Sequence, residues 1–146
     1  MRLRQVFLGL TLCCAGVALA LDFRSVAEPA VIAYEAPAKD ARKLFILSRD
    51  YPVEVVISTN DGWVRVRDDT GAFGWVEARS LTDRRTVMVK SQTIDVHAAP
   101  NESAAVAFRA EQGVTLEFLG YSAGWANVKH RSGTTGFVRP GDLWGL

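Results

Sequence analysis

Asp61-Gly62-Trp63-Val64-Arg65-Val66-Arg67 passes through Thr70-Gly71 into Gly74-Trp75-Val76. The same text returns as Ala123-Gly124-Trp125-Ala126-Asn127-Val128-Lys129, then Ser132-Gly133 and Gly136-Phe137-Val138. Each copy reads as turn, amphipathic strand, tight turn, strand. Val64 and Val66 alternate with Trp63, Arg65 and Arg67, which sends valines to one face and arginines to the other. Asp69-Thr70-Gly71 and Arg131-Ser132-Gly133 supply the turn chemistry that paired strands need.

Working outward, Val31–Pro37 lies over Ile94–Pro100, and Phe45 lies over Phe108. Val53-Glu54-Val55-Val56 lies over Leu116-Glu117-Phe118-Leu119, and Leu81 over Leu143. The second copy is shorter by a single residue, in the loop before Gly124-Trp125, and loops are where insertions are absorbed. Two copies imply tandem globules; a solenoid needs more. Ile94 and Val96 alternate with Asp95 and His97, Val114, Leu116 and Phe118 with Thr115 and Glu117, and Val87 and Val89 with Met88 and Lys90. Pro52 opens a strand, where its missing N–H does least harm. No long stretch keeps a helical period; a single turn near Glu77–Leu81, with a counterpart before Leu143, is the most the pattern allows. The expected fold is all-β: two tandem small half-open barrels. A unit of roughly sixty residues buries only roughly 60% of its unfolded surface. The junction Thr82-Asp83-Arg84-Arg85-Thr86 has no glycine or proline, so the barrels are expected to pack on each other. Trp144, beside Leu143, is expected to cap the second barrel.

The first twenty residues read differently. Arg2 and Arg4 precede an apolar run from Val6 to Ala18, and Ala18-Leu19-Ala20 supplies a small–x–small cleavage pattern. This predicts a cleaved secretory signal over residues 1–20, with cleavage near Ala20-Leu21 and a periplasmic or secreted product. The run is too short for a comfortable span, so no stable membrane insertion is expected after cleavage. Cys13 and Cys14 both lie in that signal, and neither has the small residue before it that lipidation requires. The mature chain then carries neither a disulfide nor a thiol nucleophile. Loss of Arg2 and Arg4 takes the formal charge from +1 to −1. With charges of both signs interspersed and no basic block, nothing points to nucleic acid.

The pattern V-E-V…G-W-x-x-V-[KR]…G-x-x-G-[WF]-V…L resembles the bacterial SH3-type domain, twice, over residues 21–83 and 84–146. The resemblance implies a barrel of five to seven strands in an exported envelope protein. Many members of that family are targeting modules fused to peptidoglycan hydrolases, and others bind proteins. Members often open with Leu-Asn-Val-Arg followed by a small residue, Gly and Pro. Here the second copy has Ile94-Asp95-Val96-His97-Ala98-Ala99-Pro100 and the first has Val31-Ile32-Ala33-Tyr34-Glu35-Ala36-Pro37, so ligand contacts of that strand are not carried over.

Gly120-Tyr121-Ser122-Ala123-Gly124 satisfies G-x-S-x-G, but His130 and Asp142 follow in the wrong order, so a plain loop is expected. Asp69-Thr70-Gly71-Ala72 matches the aspartic-peptidase string, whose chemistry needs two buried carboxylates. The second copy offers Arg131-Ser132-Gly133 instead, so a hairpin turn is expected. His97 and His130 have no partner at metal-ligand spacing. No catalytic residue, metal or cofactor is therefore expected. Trp63, Trp125, Trp75 and Phe137 recur at equivalent places and read first as packing. Tyr34, Tyr51 and Tyr121 break the symmetry, and Tyr34 falls on the face opposite Val31 and Ala33. A ligand groove is expected near Tyr34, Tyr51 and Trp63 in the first barrel, and His97 and Trp125 in the second. The expected partner is cell-wall peptidoglycan, through peptide or glycan; the alternative is another periplasmic protein.

Overall fold

The computed structural model describes residues 20–146. The expected signal, apart from Ala20, lies outside the described residues, as do Cys13 and Cys14. The first half forms β1 (Asp22–Val26), β2 (Ala30–Tyr34), β3 (Lys43–Ser48), β4 (Pro52–Ser58), β5 (Trp63–Arg67), β6 (Phe73–Glu77) and β7 (Leu81–Thr82). The second half forms β8 (Thr86–Val89), β9 (Thr93–His97), β10 (Val106–Glu111), β11 (Thr115–Ser122), β12 (Trp125–Lys129), β13 (Thr135–Val138) and β14 (Leu143–Trp144). Single 3₁₀ turns, Ala78–Ser80 and Pro140–Asp142, sit where one helical turn was expected.

Each half makes its own seven-stranded sheet. The orders are β3-β2-β6-β5-β4-β1-β7 and β10-β9-β13-β12-β11-β8-β14, the same permutation. The fold is thus two SH3-like barrels in tandem. Bulges fall at matching places, Val55/Ile57 and Phe118/Gly120, and bend the long strand around each barrel. Within each sheet β2 joins β6 only through Tyr34–Trp75, and β9 joins β13 only through His97–Phe137, so one paired position ties each hairpin to the rest of the barrel. Glycine is required there. A Cβ on Gly74 would stand 2.8 Å from the Ala33 Cβ, and one on Gly136 only 2.5 Å from the Val96 Cγ1.

The inward faces form two cores, as the alternation predicts. Val26, Val31, Leu47, Val53, Val66 and Val76 fill the first; Val87, Val89, Val96, Leu116, Val128 and Val138 fill the second. In β8 the alternation fails, because Thr86, Val87, Met88 and Val89 are all buried. The outer face of β8 is covered by the first barrel, so both faces are shielded from water.

That contact is polar as well as apolar. Ser25 and Thr86 are buried with their hydroxyl oxygens 2.7 Å apart; Ser25 Oγ also lies 2.6 Å from the Arg84 carbonyl oxygen and Thr86 Oγ1 2.7 Å from the Asp50 carbonyl oxygen, so two hydroxyl protons are shared among three contacts. The Arg85 guanidinium lies 5.7 Å from the Phe23 ring and 5.6 Å from the Phe118 ring, and donates to the Gly145 carbonyl. Trp144 corrects its expected role. Its indole N–H reaches the Pro52 carbonyl at 3.1 Å, and its ring meets Phe23 edge-to-face at 5.1 Å. It clasps the first barrel, where a cap on the second was expected.

Candidate functional site

The last residue of β2 and the first of β5 bring Tyr34 against Trp63, edge-to-face, with ring centroids 5.8 Å apart. The equivalent ends of β9 and β12 bring His97 against Trp125 at 5.7 Å in the same geometry. Tyr34 therefore has a counterpart, an imidazole ring, where the sequence had marked it as breaking the symmetry. Four of the five expected residues form two matched aromatic pairs.

A small groove opens beside each pair, reached by Tyr34 in the first barrel, where Trp63 is buried behind it, and by both His97 and Trp125 in the second. The first, of about 200 Å³, is lined by Glu28, Tyr34, Lys39, Glu77 and Ser80 among others. The second, of about 210 Å³, is lined by His97, Glu102, Trp125, Arg139 and Asp142 among others. The polar residues occupy equivalent places with exchanged chemistry. Lys39 bridges Glu77 at 3.1 Å across the first groove, whereas Glu102 bridges Arg139 across the second. Ser80 Oγ donates to Glu28 at 2.9 Å, whereas Ser91 Oγ donates to Asp142 at 2.6 Å. In both contacts the two partners exchange places between the barrels.

Hydrogen bonds from Arg79, then from Lys39, keep the Glu77 carboxyl below its usual range. Arg139 lies 5.4 Å from the Trp125 ring centroid, a cation–π arrangement that keeps the indole face under a guanidinium. His97 Nδ1 faces the Ala104 carbonyl at 3.1 Å; a carbonyl only accepts, so Nδ1 carries the proton. Gly141 widens the second groove. In the first copy that place is taken by Arg79, whose side chain folds onto Glu77 at 2.8 Å. Beside Gly141 the space over Trp125 and Pro140 opens to about 570 Å³.

Tyr51 stands apart. Its hydroxyl donates to Asp69, and the residue lines a separate cleft of about 430 Å³ between the barrels, with Met88 and Lys90. Burial, then the Asp69 carboxylate, push its phenol above the ordinary range. It lines neither of the two grooves described above.

The motifs with catalytic overtones fall on turns. Ser122 is exposed and pairs with Trp125 across the two-residue turn Ala123-Gly124, a strand-to-strand hairpin with no helix after it. Asp68, not Asp69, is the buried carboxylate of its turn, and accepts from the Thr70 and Ala72 backbone N–H groups and the Thr70 hydroxyl. His130 holds the equivalent hairpin, accepting from the Ser132 N–H at 3.2 Å. Among the described residues no group of three or more His, Cys, Asp or Glu is placed to hold a metal ion. No helix among them is long and apolar enough to cross a membrane.

Comparison with known proteins fits this double architecture. Residues 27–83 match one family model described as a bacterial SH3 domain, and residues 92–143 match a second of the same description. No curated protein matches the chain. Among solved structures it is similar to NlpC2 from Trichomonas vaginalis at 19% identity, over 86% of this chain and 48% of that one, with a TM-score of 0.40. It is also similar to an NlpC/P60 family protein from Bacillus cereus at 15% identity, over 84% and 56%, with a TM-score of 0.39. The chain spans about half the length of these structures. It belongs to the bacterial SH3 domain family, whose fold it carries twice in tandem.

Proposed function

We propose that this chain is an exported, non-catalytic binding module that recognises a cell-envelope ligand, peptidoglycan peptide or glycan, through its two aromatic grooves. One observation carries the reading. The ring pair and its flanking ion pair recur in both barrels although Tyr34 gives way to His97 and the ion pair changes polarity. Core packing does not require a reversed salt bridge on the rim; a retained groove with altered polarity is what two related sites for different parts of one ligand class need. A sugar face or aliphatic peptide segment packs on the rings, and the paired cation and carboxylate accept the ends of a zwitterionic peptide. The family resemblance supports an envelope setting, and the leader read over residues 1–20 supports export. The test is co-sedimentation with purified insoluble cell wall: the protein is enriched over an unrelated soluble protein, and Tyr34→Ala with Trp125→Ala removes the enrichment. No enrichment of the wild type retires the proposal.

A second reading, docking on another periplasmic protein, is favoured by one asymmetry. Ile32 pairs with Ile46 across β2 and β3, and Ile46 is 67% exposed. At the equivalent register the second barrel has Asp95 bridged to Arg109. Crosslinking that captures one stoichiometric partner, abolished by Ile46→Arg, selects this reading over the first.

A further inference from the structure

We infer that the cleft between the two barrels is an anion site that takes a phosphate group. It shares no residue with either aromatic groove and does not rest on their function. The cleft measures about 530 Å³ and is lined by Arg49, Asp50, Arg84, Thr86, Thr115, Leu116, Glu117, Lys129, His130 and Arg131, so that neither half builds it alone. Four permanent cations face two carboxylates, and both carboxylates are already engaged: Asp50 by Arg84, and Glu117 by Lys129 at 3.0 Å. Arg49 and Arg131 form no ion pair among the described residues. His130 adds a donor, because its Nδ1 accepts from the Ser132 N–H and the proton of the neutral ring is then on Nε2.

The backbone bears the mark of this arrangement. The turn between β3 and β4 needs a left-handed residue, and the second barrel uses Gly113, at φ 83°, at the equivalent place. The first barrel uses Asp50, at φ 67°, in the left-handed region that side-chain-bearing residues rarely adopt. What the aspartate adds is the carboxylate that holds Arg84 at the cleft. Two unpaired guanidinium forks and an imidazole N–H present more donors than the two oxygens of a carboxylate can accept; the three or four oxygens of a phosphate match them. The volume fits a phosphorylated sugar, within the usual range of about 300–1,000 Å³ for ligand pockets.

The test uses the full mature chain, labelled with ¹⁵N, at low ionic strength. Glucose 1-phosphate is expected to shift the amides of Arg49–Asp50, Arg84–Thr86 and Lys129–Arg131, with glucose producing no shift and added salt weakening the effect. Arg49→Ala with Arg131→Ala, both exposed and unpaired, is expected to weaken binding about tenfold or more while leaving the circular dichroism spectrum unchanged. Arg139→Ala, in the second groove, leaves it intact. A parallel arm uses vesicles of phosphatidylglycerol against phosphatidylcholine. Shifts with glucose 1-phosphate support the site and place its phosphate on a soluble or wall-borne group. Sedimentation with phosphatidylglycerol alone, lost in the double variant, supports it with the phosphate on a lipid. No shift and no sedimentation, or equal binding by the double variant, overturns it.

Discussion

Replacing Trp144 with alanine should uncouple the two barrels. The indole makes three contacts with the first half. Its N–H bond to the Pro52 carbonyl contributes about 1 kcal/mol. The edge-to-face contact with Phe23 adds about 0.5–1.5 kcal/mol, and Arg67, 5.4 Å from its centroid, about 0.5–1 kcal/mol. Their total, about 3 kcal/mol, is the lower end of what deleting a buried tryptophan costs, as suits a half-buried one. With urea m-values of about 1–3 kcal/mol/M, the midpoint should fall by about 1–3 M. Far-UV circular dichroism follows this without using tryptophan as the probe. The wild type should unfold in one transition; the variant should show an early phase for one barrel and a later one for the other, since each is marginal alone. Trp144→Phe, which keeps the ring contact and loses the N–H, should fall between. A Trp144→Ala midpoint indistinguishable from wild type would refute the clasp and return the junction to the status of a linker.

Two further outcomes follow from the same geometry. Gly136→Ala places a Cβ 2.8 Å from the His97 carbonyl oxygen as well as against Val96, and should cost about 1–3 kcal/mol by overpacking; an unchanged or raised urea midpoint contradicts the close approach described for β9 and β13. Tyr51, raised by burial and by Asp69, should give an ionisation step above the ordinary tyrosine range in an ultraviolet titration. Because its folded value lies above its unfolded one, its contribution to stability is complete below the ordinary tyrosine range and is lost as pH rises through the raised value. Tyr51→Phe should remove that late step, and a titration with no step above the ordinary range contradicts it.

Most of the fold was legible because a strand writes its two faces in alternate residues, and because the chain states its pattern twice. Val64 and Val66, Ile94 and Val96 all went inward as their spacing demanded. Met88 and Trp144 were misread for a single reason. Both face the neighbouring barrel, and a surface covered by another domain leaves no periodic signature on its own strand. The site was half legible. Tyr34, Trp63, His97 and Trp125 stood out as aromatics, but Tyr51 was grouped with them although it lies at the junction, because nothing in a linear pattern says which side of a barrel a turn faces. The ion pairs Lys39–Glu77 and Glu102–Arg139 were missed, yet the alignment held their signal: two columns exchange charge in concert. The inter-barrel cleft had no such signal. Arg49, Arg84 and Arg131 are scattered along the chain and meet only once both halves have folded and docked.

The most direct test of the binding account is a titration with soluble muropeptides, read at the indole N–H resonances of Trp63 and Trp125. The account predicts saturable shifts at these indoles and at the His97 ring, abolished for the second groove by Trp125→Ala and for the first by Tyr34→Ala. Saturable binding that leaves both indoles unmoved, or no binding at millimolar ligand, contradicts it.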